Sequence, residues 1–247
     1  MRAREQMVPP LRRLRRWLGT HPGTVAVLLA LAALGLWIFG EVLDEVIEGE
    51  TAMLDRRLLM ALRNPGDPTD PLGPAWVEEM ARDVTALGGV AVLAFVTLAS
   101  AGLTWLQGRR ATAGFILLSV GSGLALSSLA KALIDRPRPD LVPHGSHVYT
   151  ASFPSGHSMM AAVTWLTLAL ILARGFPRKS LKLYVVSLAV VVTLAVGISR
   201  VYLGVHWPTD VLAGWAAGAS WALACAALAR ALTQRGAIEP PANGASG

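Results

Sequence analysis

A single cysteine is present in this chain. Cys225 stands alone inside a long apolar run, so an intramolecular disulfide is impossible and a cysteine-built metal cluster is not suggested. Charge is also scarce. Only 15% of the 247 residues are charged, while 53% are hydrophobic, and mean hydropathy is +0.50. That apolar share is above what an ordinary soluble domain carries. No internal repeat is found, and the length fits one domain.

What is there instead is a series of apolar stretches, each able to cross a bilayer, which takes about 20 residues of helix. Six are read, at 24–43, 86–106, 111–133, 158–174, 181–198 and 209–232. The first follows a basic N-terminus, as a signal peptide would. Its apolar run is too long for one, and it continues into "GEVLDEV" without a small-x-small cleavage site, so it reads as a retained helix. The stretches "GSGLALSSLA" and "AGWAAGAS" are rich in the small residues that let membrane helices pack closely.

Charge sets the orientation. Arg2, Arg4, Arg12, Arg13, Arg15 and Arg16 precede span one. Arg109 and Arg110 separate spans two and three, and Arg174, Arg178, Lys179 and Lys182 separate spans four and five. Arg230 and Arg235 close span six. These are alternate connections, all on one side, and the positive-inside rule makes that side the cytoplasm. Both termini are therefore expected inside. The loops 44–85, 134–157 and 199–208 are expected outside. The basic clusters need no nucleic-acid partner.

Within the long outer loop, Leu54, Leu58 and Leu62 recur every four residues, the period of a helix lying at the interface or on the bundle top. The segment "NPGDPTDPLGP" (64–74) reads as a loop. Residues 1–23 form a basic cytoplasmic segment, 24–235 a single membrane-embedded domain with its motifs at 131–210, and 236–247 a disordered tail.

Topology does not explain the cations on the outer side. Lys131, Arg136, Arg138 and Arg200 lie there with His157 and His206. Spans three and five end at this face and spans four and six begin at it, so four helix ends converge. A helix start offers free N–H groups and the positive end of its dipole. In "ASFPSGHSMM" (151–160) such a start carries Gly156, which lets a ligand approach bare backbone, and Ser155, which adds a hydroxyl. Lys131, Arg138 and Arg200 supply the counter-charges for an anion, the arginines through a fork suited to phosphate.

In "SRVYLGVHWPTD" (199–210), Pro208 suits the first turn of span six. His206 then precedes the helix and Asp210 falls in its first turn. Asp210 can take a hydrogen bond from one imidazole nitrogen and leave the other nitrogen's lone pair free for attack on phosphorus. His157, with an ordinary pKa of about 6.5, can protonate the leaving oxygen.

These residues resemble the signature of the type 2 phosphatidic acid phosphatase superfamily, the lipid phosphate phosphatases. "KALIDRPRP" (131–139), Pro154 to His157, and Ser199 to Asp210 match its three motifs in order and spacing. The resemblance covers roughly 86–232. It implies an all-α, six-transmembrane-helix bundle with an interfacial helix or loop after the first span. It further implies metal-independent hydrolysis of a phosphomonoester or pyrophosphate on a lipid. His206 would be the nucleophile forming a phosphohistidine, Asp210 its orienter and His157 the general acid. Lys131, Arg138, Ser155, Gly156 and Arg200 would hold the phosphoryl group. No cofactor and no metal are expected, since lysine and arginine stand where a metallophosphatase would have carboxylates. The partners would be a lipid phosphate or pyrophosphate and the bilayer of the cytoplasmic membrane, with the site at its outer face. Two alternatives use the same cluster: phosphate transfer to an alcohol acceptor, and binding or transport of an anionic lipid without turnover.

Other residues are given weaker roles. His144 and His147 read as a solvent-facing loop, because no carboxylate pair or cysteine joins them as metal ligands. Asp135 and Arg136 are expected to pair with each other or with phosphate. His21 reads as surface. Trp105, Trp165, Trp207 and Trp215 read as interface anchors or packing.

Overall fold

The computed structural model describes residues 22–140 and 151–240. His21, His144, His147, the N-terminal arginines and the last seven residues lie outside these. The described chain is helical apart from one small hairpin. α1 (Pro22–Glu48) is followed by a short α2 (Ala52–Met60) and the hairpin β1 (Arg63–Asn64) and β2 (Asp67–Pro71). Then come α3 (Ala75–Ala86), α4 (Val90–Leu106), α5 (Arg110–Leu133), α6 (Gly156–Gly175), α7 (Lys179–Tyr202) and α8 (Pro208–Gln234). Five helices are long and apolar enough to cross a membrane by themselves. α3 and α4, bent 45° at Leu87–Gly89, make a sixth together. The six expected spans are all present as helices.

α6 and α8 are the central pair. Within their most apolar windows 67% and 56% of residues are buried, against 11% for α1, whose leucines and Trp37 face outward. Such an outward apolar surface on the peripheral helices is what lipid contact requires. Small residues let the centre close. A methyl group at Gly214 would lie 2.8 Å from the Ser155 carbonyl, and one at Gly218 would lie 2.5 Å from that of Met159. α8 therefore rests directly on the backbone of α6's first turns, as the small-residue pattern implied. Trp215 fills the space beside Gly197 and donates its indole N–H to Thr193 O.

The outer-loop helix has a different buried face from the one its leucines mark. Leu54 and Leu58 are exposed, while Asp55 and Leu59 are fully buried against the bundle. A charge goes inward because its partners are there, as described below. The stretch expected as a plain loop over 64–74 contains β2 and its pairing with β1. The disordered tail expected from 236 is corrected at its beginning. Ile238 is buried in the apolar cluster of Phe115, Ile116 and Leu168. Glu239 accepts hydrogen bonds from Ala111 N–H, Thr112 N–H and the Thr112 hydroxyl at 2.8–2.9 Å. An acidic residue so placed answers the free N–H groups at the start of α5.

Candidate active site

All three motifs meet at one end of the bundle, and the basic residues 109, 110, 174, 178, 179, 182, 230 and 235 are at the other helix ends. Lys131 lies in the last turn of α5 and Arg200 in that of α7, while α6 and α8 begin beside them. A tight turn at Gly204, with φ +73°, closes α7 and sends the chain back toward the site. Val205 N–H bonds to Arg200 O, and Val205 O accepts from Arg138 at 3.0 Å.

His206 follows that turn and is 2% exposed. Its Nδ1 faces Asp210 Oδ2 at 3.4 Å and its Nε2 faces Arg138 Nη1 at 3.2 Å. A guanidinium can only donate. Nε2 is therefore the nitrogen with the lone pair, and Nδ1 bears the proton toward Asp210. Burial pushes the imidazole down to about 4. The hydrogen bond to Asp210 and its charge oppose this, and Arg138 and Arg200 add to it. At neutral pH the ring is uncharged.

Asp210 has no exposed surface. Its Oδ2 also accepts the Trp207 N–H at 3.0 Å and the Ser152 hydroxyl. Capping α8 and orienting His206 are thus carried by one carboxylate.

The residues expected to hold phosphate gather around the start of α6. Ser155 N–H bonds to Asp210 O at 2.9 Å, tying the starts of α6 and α8 together. The Ser155 hydroxyl accepts from Ser158 at 2.9 Å. Lys131 donates to Ala151 O at 3.0 Å, and a side chain at Gly156 would meet the Lys131 stem at 3.1 Å. Glycine there leaves the lysine room to lie across the helix start. Arg200 donates to Thr85 at 3.1 Å, and its buried Nε has no hydrogen-bond partner. A buried donor left open in this way is costly unless something fills it. His157 lines a groove of about 430 Å³ with Lys131 and Gly156; the rest is mostly apolar and belongs to α4, α5, Gly88 and Met160 of α6.

Arg136 is not paired with Asp135. It bridges Asp55 at 2.7 Å and Asp210 at 2.6 Å and lies 5.9 Å from the Trp207 ring centre. Asp55, Ser152, Thr209 and Thr85 were missed in the sequence. The motif spacing carries no mark of them. A surplus cation in "RPRP" was the one hint that a second carboxylate was near. Trp165 and Trp207 bond to Leu87 O and Pro137 O, so with Trp215 they pack internally; Trp105 is exposed, with Arg110 over its ring. Among the described residues no group of His, Cys, Asp and Glu fits a metal ion.

Comparison with known proteins gives the family. The PAP2 superfamily matches residues 112–234. Phosphatidylglycerophosphatase B of Bacillus subtilis is 39% identical over 146 residues, covering 58% of this chain and 70% of that protein. This chain belongs to the PAP2 superfamily. A second relative, lipid A 1-phosphatase of Rhizobium etli, is 32% identical over 174 residues, covering 61% of this chain and 70% of the relative. The crystal structure of a transmembrane PAP2-type phosphatidylglycerolphosphate phosphatase from Bacillus subtilis superposes with TM-score 0.66 at 28% identity. It covers 82% of this chain and 96% of that one.

Proposed function

We propose that this PAP2-family membrane protein is a lipid phosphatase working through a phosphohistidine at His206, without metal. The observation that carries the reading is His206 itself, buried and held between Asp210 on Nδ1 and Arg138 on Nε2. In the reaction, Nε2 attacks phosphorus and the bond to the leaving oxygen breaks. Protonated His157 gives that oxygen its proton. Water then attacks the phosphohistidine, passes a proton back to His157 and releases phosphate from His206. Lys131, Arg138, Arg200, the Ser155 hydroxyl and the Gly156 backbone stabilise the equatorial oxygens, whose charge is greatest in the transition state. The apolar groove beside His157 supports a lipid as substrate, because it leads a chain away from the phosphate cradle between α4 and α5.

The site opens on the extracytoplasmic side, since the basic helix ends are opposite it and mark the cytoplasm. A cysteine at Pro65, in a Cys225→Ala background, reacts with an impermeant thiol reagent from outside. Labelling only after permeabilisation places the site in the cytoplasm instead.

Phosphate release by the purified protein decides the activity. Phosphatidylglycerol phosphate, phosphatidic acid, lipid A phosphate and undecaprenyl pyrophosphate are assayed with EDTA present, and the phosphoenzyme is trapped by acid-free quenching. Release from at least one lipid and phosphate on His206 are expected. No release from any, with lipid binding retained, overturns the phosphatase reading and favours the binding protein. Product on an added alcohol would show transfer.

A further inference from the structure

The long segment between α1 and α3 lies outside the matched family region, yet it reaches the centre of the site. Asp55, on α2, is fully buried. Its Oδ1 accepts the Thr209 N–H at 3.0 Å and its Oδ2 accepts the Thr209 hydroxyl at 2.6 Å, so it grips the first turn of α8. Oδ2 also receives Arg136 Nη2 at 2.7 Å. The other amino nitrogen of Arg136 goes to Asp210 Oδ1 at 2.6 Å and to the Thr209 hydroxyl at 2.8 Å. At the backbone, Arg136 O accepts Ser152 N–H at 2.8 Å, and Ser152 donates its hydroxyl to Asp210 Oδ2.

We propose that Asp55 and Arg136 are positioning residues for His206, a carboxylate–guanidinium–carboxylate chain that fixes the orientation and basicity of the imidazole from the loop helix. The inference rests on His206 being the nucleophile. Arg136 occupies one oxygen of Asp210 and so turns the other to Nδ1. Asp55 shares the arginine's charge, so that Asp210 stays basic enough to hold the Nδ1 proton. A cation placed between two buried carboxylates leaves uncompensated charge when either neighbour is removed. A pair serving the fold alone has no need to end on the carboxylate that holds the histidine.

Charge predicts opposite signs for the two variants. The ring of His206 faces Asp210 from α8, Arg138 from the segment after α5 and the Ser152 hydroxyl. Arg200 from α7 and His157 from α6 lie within electrostatic reach, Lys131 from α5 stands beyond His157, and Arg136 and Asp55 act on the ring through Asp210. Arg136→Gln removes a positive charge, which favours imidazolium and moves the acid limb of kcat/KM up in pH. Asp55→Asn removes a negative charge and moves it down. The double variant returns the limb to near its wild-type place.

Each single variant is expected to lower kcat on phosphatidylglycerol phosphate by about tenfold or more with KM little changed, as outer partners of a positioned histidine do. Arg136→Lys keeps charge but not the fork. It is expected to lower kcat without moving the limb, and it stands in if Arg136→Gln does not fold. Titration of ¹⁵N-labelled histidine by NMR reads the same His206 shifts without substrate. The positioning role is therefore decided even if the wild type releases no phosphate, an outcome that would sink only the phosphatase reading. Shifts of the same sign in both single variants, or wild-type kcat and titration in both, would overturn the proposal.

Discussion

The beginnings of α5 and α6 apply the same physics to opposite ends. Each is a helix start with unpaired N–H groups and a positive dipole end. At α5 the chain answers with its own anion: Glu239 takes Ala111 N–H, Thr112 N–H and the Thr112 hydroxyl. Slight burial raises that carboxyl, but the hydrogen bonds outweigh it and hold it at about 2. α8 is closed similarly, Asp55 taking Thr209 N–H and Asp210 taking Trp207 N–H. α6 has no side-chain cap among the described residues, and Lys131, Arg138 and Arg200 stand near its start. Two helix starts are closed with acids and a third is ringed with lysine and arginine, which under the proposed function makes the third the place for the substrate's phosphate.

The largest test of that contrast removes the chemistry and leaves the cradle. His206→Ala should cut turnover by at least about 10⁴-fold, as should His157→Ala. Only the His157 variant should still become phosphorylated on histidine, and only from a substrate with a good leaving group. Phosphohistidine in the His206 variant would reverse the assigned roles.

Ser155→Asp turns the open start into a closed one. A carboxylate at the N-cap of α6 would pair with Lys131 and repel phosphate. Like charges in contact cost several kcal/mol, so kcat/KM should fall by about a hundredfold or more. Unchanged turnover would show that α6's start is not where phosphate is held.

Vanadate, which adopts the five-coordinate geometry of the transfer, should inhibit competitively and bind more tightly than phosphate. Arg200→Lys keeps the charge but not the fork, and should weaken vanadate by about tenfold. Equal affinity for the two anions, unaltered in His206→Ala, would favour passive binding.

His206 also ties stability to pH. Its folded pKa of about 4 lies below the ordinary value, so the unfolded chain binds more protons between about pH 4 and 6.5. Stability rises with pH across that window and is fully present above it. The acid-side fall in Tm should be shallower in His206→Ala than in the wild type. Parallel curves would mean that the imidazole is not held neutral by the fold.

The smallest effect is expected at the closed start. Glu239→Ala should lower stability by about 1 kcal/mol, a Tm loss of about 2–4 °C, with kcat unaltered. A large loss of activity would mean that the two helix starts are coupled through α5.

The six helices, the end of the bundle at which the motifs meet, and the pairing of His206 with Asp210 were all legible in the chain. Apolar length, helix direction and short-range spacing are properties of consecutive residues, and a bilayer leaves few ways to arrange them. The tertiary structure alone decided what lies across the fold. Asp55 is 155 residues from Asp210 in sequence, and its leucine neighbours advertise a different buried face. Arg136 stands beside Asp135 in the chain, yet in the bundle it pairs with Asp55 and Asp210. Glu239 sits in a polar segment that composition marks as loose, and it is held by N–H groups more than 120 residues away. In each case a charge is satisfied by a partner that folding supplies. Local pattern records that a charge exists, but its partner is set by which helix ends the packing of Gly214 and Gly218 on α6 brings together.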